Sequence, residues 1–153
     1  MIRKLTVLLC IASLGFLVNC AGTSKASTEK SDAAKSFEAS DGKGAVYLYR
    51  TGRMVGAGVA TQVKVNGMDA GGMGPNTFFK WDLKPGTYTF SAFTAESSKV
   101  VQLDVKAGEQ YFIRLDDRMG ISSGRVTLKT VSDSKGKSEI KKGKLLVSAY
   151  VPE

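Results

Sequence analysis

A chain of 153 residues is long enough for one modest domain, and leaves no room for a second once a leader is set aside. It contains no histidine, which removes the commonest general base and the commonest metal ligand together and excludes a Ser-His-Asp or Cys-His centre. Lys and Arg number 22 against 14 Asp and Glu, a formal charge of +8. This charge is spread along the chain, a pattern that favours solubility and loose attraction to anionic surfaces over a defined nucleic-acid footprint.

Residues 1–19 read as an export leader. Arg3 and Lys4 form a short basic start, and Leu5 to Val18 is a mostly apolar run of 14 residues, shorter than the roughly 20 that a membrane-spanning helix needs. The run stops at Cys20. The other cysteine, Cys10, lies inside the leader, so the mature chain is expected to keep one thiol and no internal disulfide. Losing Arg3 and Lys4 with the leader lowers the charge from +8 to +6. Without histidine to activate it, and with a polar stretch following it, Cys20 suits neither a catalytic thiol nor a core position, which leaves attachment.

Leu17-Val18-Asn19-Cys20 resembles the bacterial lipoprotein lipobox. The resemblance implies that a lipoprotein signal peptidase recognises Leu17, Val18 and Asn19 and that Cys20 carries a diacylglyceryl thioether. Acyl chains such as palmitate then hold the protein to a bilayer. Asn19 stands where Gly, Ala or Ser is usual, a departure that is also familiar among spirochaete lipoproteins. Ala21 in place of Asp after the cysteine implies export to an outer membrane. After Cys20, the chain from Ala21 to Lys43 is dominated by Ser, Ala, Lys, Thr, Asp and Glu, with Phe37 as its one large apolar residue, and the segment 20–43 is expected to stay disordered. Such a tether of about 23 residues would average roughly 25 to 30 Å end to end.

Residues 44–153 carry the signals of short strands. Ala45 to Arg50 is rich in β-formers, and Val59 to Val65 alternates Val63 and Val65 with Gln62 and Lys64. Asn66-Gly67 predicts a tight hairpin turn, with a glycine-laden return over Gly67 to Gly74 that is either short or bulged. That return fits neither a Walker loop nor a dinucleotide fingerprint. Thr77 to Leu83 is a further strand, closed by Lys84-Pro85-Gly86. The next strand places Tyr88, Phe90 and Ala92 on one face and Thr87, Thr89 and Ser91 on the other. Then follow a strand with Val101, Leu103 and Val105 alternating, a turn at Ala107-Gly108-Glu109, the strand Gln110 to Leu115, a polar loop from Asp116 to Gly124, and the strand Arg125 to Val131. Strands of five to eight residues broken by Gly and Pro turns predict an antiparallel sandwich or barrel. At the end, Lys135 to Gly143 reads as a frayed helix and Leu145 to Tyr150, more firmly, as a last strand.

The order of Ala45 to Arg50, Val63 to Gly67, Asp82-Leu83-Lys84-Pro85-Gly86-Thr87-Tyr88 and Leu103 to Leu115 resembles the DUF2846 family of small bacterial envelope lipoproteins. The Val-Asn-Gly and Lys-Pro-Gly-Thr-Tyr motifs are also similar to PEGA-type surface domains. Both resemblances imply an immunoglobulin-like or transthyretin-like β-sandwich, and neither brings catalytic residues.

Individual residues add little chemistry. Asp116-Asp117-Arg118 reads as an acidic turn, since the loop lacks the ligand spacing and closing Glu of a calcium site. No metal, cofactor or catalytic residue is expected. Lys135, Lys137, Lys141, Lys142 and Lys144 form the densest basic run; a solvated edge is the simpler reading, and contact with headgroups, glycans or an acidic partner the functional one. For Phe79 and Trp81, which share a strand face, core packing is the simpler reading and a binding platform the functional one. The sequence therefore points to a non-enzymatic, lipid-anchored envelope module, with an envelope protein or glycan as partner and no nucleic acid. The alternative is a surface adhesin that binds host or matrix molecules through its basic edge.

Overall fold

The structure is a computed structural model and describes residues 23–53, 58, 60–121 and 124–153. Among these residues nine strands form two sheets: β1 (Gly44–Arg50), β2 (Thr61–Val65), β3 (Met68–Met73), β4 (Thr77–Leu83), β5 (Gly86–Phe93), β6 (Ser98–Val105), β7 (Gln110–Arg118), β8 (Arg125–Val131) and β9 (Lys144–Leu145). Among the described residues two helices accompany them, α1 (Thr28–Ala34) and α2 (Asp133–Ile140). One sheet has the order β8-β7-β1-β4-β9 and the other β3-β2-β5-β6. The smaller sheet is antiparallel throughout. The larger is mixed, because β1 runs parallel to β7 and β4 parallel to β9. The fold is a β-sandwich, as the strand pattern predicts.

The core between the sheets follows from alternation. Val46 and Leu48 of β1, Val63 and Val65 of β2, Phe79, Trp81 and Leu83 of β4, Phe90 and Ala92 of β5, and Ile113 and Leu115 of β7 all turn inward and are buried. Each of the Val, Leu, Ile and Phe side chains among them contributes about 1.5–3 kcal/mol by leaving water. Asn66 and Gly67 both take positive φ, 49° and 79°, and close the β2–β3 hairpin as the dipeptide predicts. The glycine-rich return is β3, with a register shift opposite Val63 and Lys64.

Every residue of β1 is buried, so its outer face must be covered as well. Ala45, Tyr47, Tyr49, Phe78 and Phe112 form a second apolar layer there, capped by Ala34 of α1, Ile140 of α2 and Phe37. This corrects the reading of 20–43 as a disordered tether, since residues 23–43 lie against the sheet. Ser27 caps α1 by accepting from the Lys30 amide at 3.3 Å, and the carbonyl of Ala34 accepts from the Tyr47 hydroxyl at 3.1 Å. Phe37 packs on Tyr47 and Phe112 with ring centroids 5.4 and 5.9 Å away. Composition points to disorder because the segment has one large apolar residue; the rest of its hydrophobic environment is supplied by a sheet face far away in sequence.

The last segment is also corrected. The helix expected over Lys135 to Gly143 is present as α2 (Asp133–Ile140) followed by a turn, whereas the strand expected over Leu145 to Tyr150 is replaced by the two-residue β9 (Lys144–Leu145). Beyond β9 the chain crosses between the sheet edges: Leu146 N–H donates to Phe78 C=O at 2.8 Å and Ala149 N–H to Ala70 C=O at 3.1 Å. It thereby covers edge strands that would otherwise be open to pairing.

Helix α2 sits close enough to the sheet that a Cβ on Gly136 would lie 2.3 Å from Cγ and 2.4 Å from Cδ1 of Phe112. Gly136→Ala adds about 1 kcal/mol of helix propensity, but it forces the buried Phe112 ring or the helix to move, an overpacking cost of about 1–3 kcal/mol. The expected net result is a lower thermal midpoint, measured by circular dichroism.

Candidate functional site

Alternation places two ionic networks back to back at one end of the larger sheet. On the inner face, Arg50 continues the line of Val46 and Leu48, and Asp117 the line of Ile113 and Leu115, so both close the end of the core. Arg50 is 3 % exposed and Asp117 7 %. They form an ion pair, while the Arg50 guanidinium donates to Met73 C=O at 2.8 Å and Thr61 Oγ1 donates to the Asp117 carboxylate at 3.0 Å. On the outer face, Arg114 Nε lies 2.7 Å from Asp116 and its Nη1 2.7 Å from Glu139 of α2. The Tyr49 hydroxyl donates to the other Glu139 oxygen at 2.5 Å. The polar loop expected at Asp116-Asp117-Arg118 is thus the end of β7, held in strand form by these partners.

Burial pushes the Asp117 carboxyl above its usual range, against the pull of Arg50 and Thr61. It lowers the Arg50 guanidinium, against Asp117 and Asp116. Burial also lowers Arg114, but hydrogen bonding and charge from Asp116, with Glu139, outweigh it and raise the group overall. Tyr49 is raised by burial and by its bond to Glu139, so it stays a protonated donor. In this network each carboxylate faces an arginine and the hydroxyls are engaged with carboxylates, an arrangement that fastens α2 and β7 to β1. Among the described residues no group of three or more Cys, Asp or Glu is placed to hold a metal ion, and no helix is long and apolar enough to cross a membrane.

Two solvent-open depressions flank Arg114. One, of about 570 Å³, is lined by Thr51, Arg53, Asn76, Ser138, Glu139 and Lys142. The other, of about 440 Å³, lies over β7 and β8 and is lined by Arg53, Lys99, Arg118, Lys129 and Lys135 around Arg114 and Asp116.

Residues 40–127, more than half of the chain, match the family described as "Protein of unknown function (DUF2846)". The chain belongs to this family. A Haemophilus influenzae (strain ATCC 51907 / DSM 11121 / KW20 / Rd) protein described as "Uncharacterized protein" is 29 % identical over 130 residues, covering 84 % of this chain and 77 % of that one. The DUF2846 match takes in β1 to β7 and the start of β8, and with them Arg50, Arg114, Asp116 and Asp117. It stops before α2, so Glu139 and the lysine run lie beyond it.

Of the residues singled out in this DUF2846 chain, Leu17, Val18, Asn19 and Cys20 lie outside the described residues. Phe79 and Trp81 are 0 % and 3 % exposed and stack on each other at 5.2 Å, which overturns their reading as a binding platform. The lysine run is not one surface. Lys135 lines the depression over β8 and Lys142 the one beside Asn76, Lys137 lies over the rings of Phe37 and Phe112 at 5.8 and 6.0 Å, and Lys144 pairs with Thr77 in β9. Lys141 is exposed in the turn after α2. Arg118 and Lys129, which sequence density does not mark, share one face with Arg114 and Arg125 because β7 and β8 pair with Arg114 opposite Lys129 and Arg118 opposite Arg125, and Arg53 from the loop after β1 and Lys99 from β6 of the other sheet meet them and Lys135 around the same depression. The available signal was the i, i+4 spacing within each arm, which keeps all four on one sheet face.

Proposed function

We propose that this protein is an exported, lipid-anchored component of the bacterial envelope, held through Cys20, whose sandwich serves as a non-enzymatic interaction or structural module. The observation that carries this reading is the apolar run ending in Leu17-Val18-Asn19-Cys20, three residues before the chain is fastened at Thr23. Thr23 Oγ1 accepts from the Gly72 amide at 2.7 Å, and the Ser24 carbonyl accepts from Val147 N–H at 2.8 Å. Three residues reach at most about 10 Å, so an acylated Cys20 would keep the β3 edge near the headgroups instead of lifting the domain clear of them. An outer-membrane location follows from Ala21 in this reading. The missing histidine and the ionic network closed on itself support a role without catalysis.

Cys20→Ala tests the anchor. Wild type is expected in the detergent phase of a cloud-point separation and Cys20→Ala in the aqueous phase; unchanged partitioning overturns the anchor. The second reading, a surface adhesin, is favoured by the cationic depression over β8. Protease treatment of intact cells separates the two, since a surface domain is digested and a periplasmic one survives.

A further inference from the structure

We propose that the depression bounded by β6, β7, β8 and the loop after β1 is a binding site for a compact polyanion carrying two or more phosphate groups. Five cations converge on it from five parts of the chain: Arg53 from the loop after β1, Lys99 from β6, Arg118 from β7, Lys129 from β8 and Lys135 from α2. All five are exposed. Among the described residues none has a carboxylate within ion-pair distance. The one acidic residue of the lining, Asp116, is engaged by Arg114 at 2.7 Å and by the Thr51 hydroxyl at 3.0 Å, so it does not neutralise the rim. Crowding like charges without a counter-charge raises the local potential and draws anions into the concavity. Guanidinium groups at Arg53 and Arg118 offer planar forks suited to phosphate oxygens, and the lysines add point charges around them.

The rim is backed by a rigid floor. Arg114 is 7 % exposed and fixed by Asp116 and Glu139, and the β7–β8 register sets Arg118 and Lys129 along one face. The site also has a defined direction. Inter-sheet bonds from Val126 N–H to Ser97 Oγ (2.8 Å) and from Thr94 Oγ1 to Gly124 C=O (2.6 Å) mark the β6–β8 side of the sandwich. Thr23 and the C-terminal segment mark the β3–β9 side. In sheets with strands about 4.8 Å apart these sides are separated by several strand widths, so a chain anchored at Cys20 would turn the cationic rim away from its own membrane. Only that orientation rests on the anchor reading; the site does not.

The test is a calorimetric titration of the full chain, in neutral detergent at low salt, with sodium tripolyphosphate. Saturable binding is expected. Arg118→Gln with Lys129→Gln should weaken it at least tenfold, whereas Lys64→Gln with Lys84→Gln, an equal charge loss on other surfaces, should change it less than twofold. Arg118→Lys with Lys129→Arg should retain binding. Absence of saturable binding, or equal loss in both neutralised pairs, overturns the site. Vesicles containing cardiolipin, whose headgroup carries two phosphates, identify the source of the phosphate when added to the same protein: competition with tripolyphosphate supports the site with lipid headgroups as ligand, and lack of competition alongside tripolyphosphate binding supports it with a soluble or glycan-borne phosphate. A failed titration with normal detergent partitioning would leave the anchor standing, and the converse would leave the site standing.

Discussion

Replacing Asp117 with alanine is expected to destabilise the protein by about 3–5 kcal/mol, because it leaves the Arg50 guanidinium buried without its counter-charge. The side chains of Arg50 and Asp117 are each 2 % exposed, so water cannot take over the missing contact. The loss should appear in urea denaturation as a lower midpoint with little change in slope. Arg50→Met with Asp117→Leu should be far less damaging than either single change, since a packed apolar pair avoids the desolvation cost of both ions. If Asp117→Ala costs under about 1 kcal/mol, the pair does not seal the core as described. The pH dependence has a definite sign. Burial holds the Asp117 carboxyl above its usual range, so the folded state retains this proton to higher pH than the unfolded chain. The stability linked to it is therefore complete below the ordinary carboxylate pKa and is lost as pH rises through the folded value. Asp117→Asn should remove that decline while keeping the side chain's shape.

Trp81→Ala is expected to cost about 3–5 kcal/mol through the cavity it leaves. Trp81 is the single tryptophan of the chain and lies where β4 meets the C-terminal segment. It stacks on Phe79 at 5.2 Å, meets the Tyr150 ring edge at 6.2 Å, and donates from Nε1 to Ser148 Oγ at 2.9 Å. In wild type its emission should be blue-shifted and nearly inaccessible to iodide. An exposed, readily quenched Trp81 would restore the binding-platform reading. Because Ser148 and Tyr150 are its neighbours, Tyr150→Ala should increase quenching while leaving most of the sandwich intact, a direct check that the C-terminal segment covers this edge.

The strands were legible because their signals are local. Alternation of Val63 and Val65, the Asn66-Gly67 turn, Thr77 to Leu83 and the two-faced strand from Thr87 each report a period or a φ requirement within a few residues. The chemistry-bearing motif at Asp116-Asp117-Arg118 reads as a turn in sequence for the converse reason: apart from Arg114, two residues away in the same strand, the residues that hold this end of β7, Arg50, Thr61 and Glu139, come from three other places in the chain. Linear charge density misled in the same way. The lysine run after Val131 is dense in sequence but divided in space, while Arg53, Lys99, Arg118, Lys129 and Lys135 are scattered in sequence and convergent in space.

By itself the sequence determined the all-β class, the Asn66-Gly67 hairpin turn, the absence of histidine chemistry and the abrupt end of an apolar run at Cys20, since composition and period are properties of neighbours. Tertiary structure alone decided that residues 23–43 pack on the sheet, that Phe79 and Trp81 are core, that two ionic networks lie on opposite faces of β7, and that the cations gather at the β6–β8 edge. Each of these depends on free energy gained between residues tens of positions apart, such as Phe37 on Phe112 or Arg50 on Asp117, and no window along the chain contains both partners.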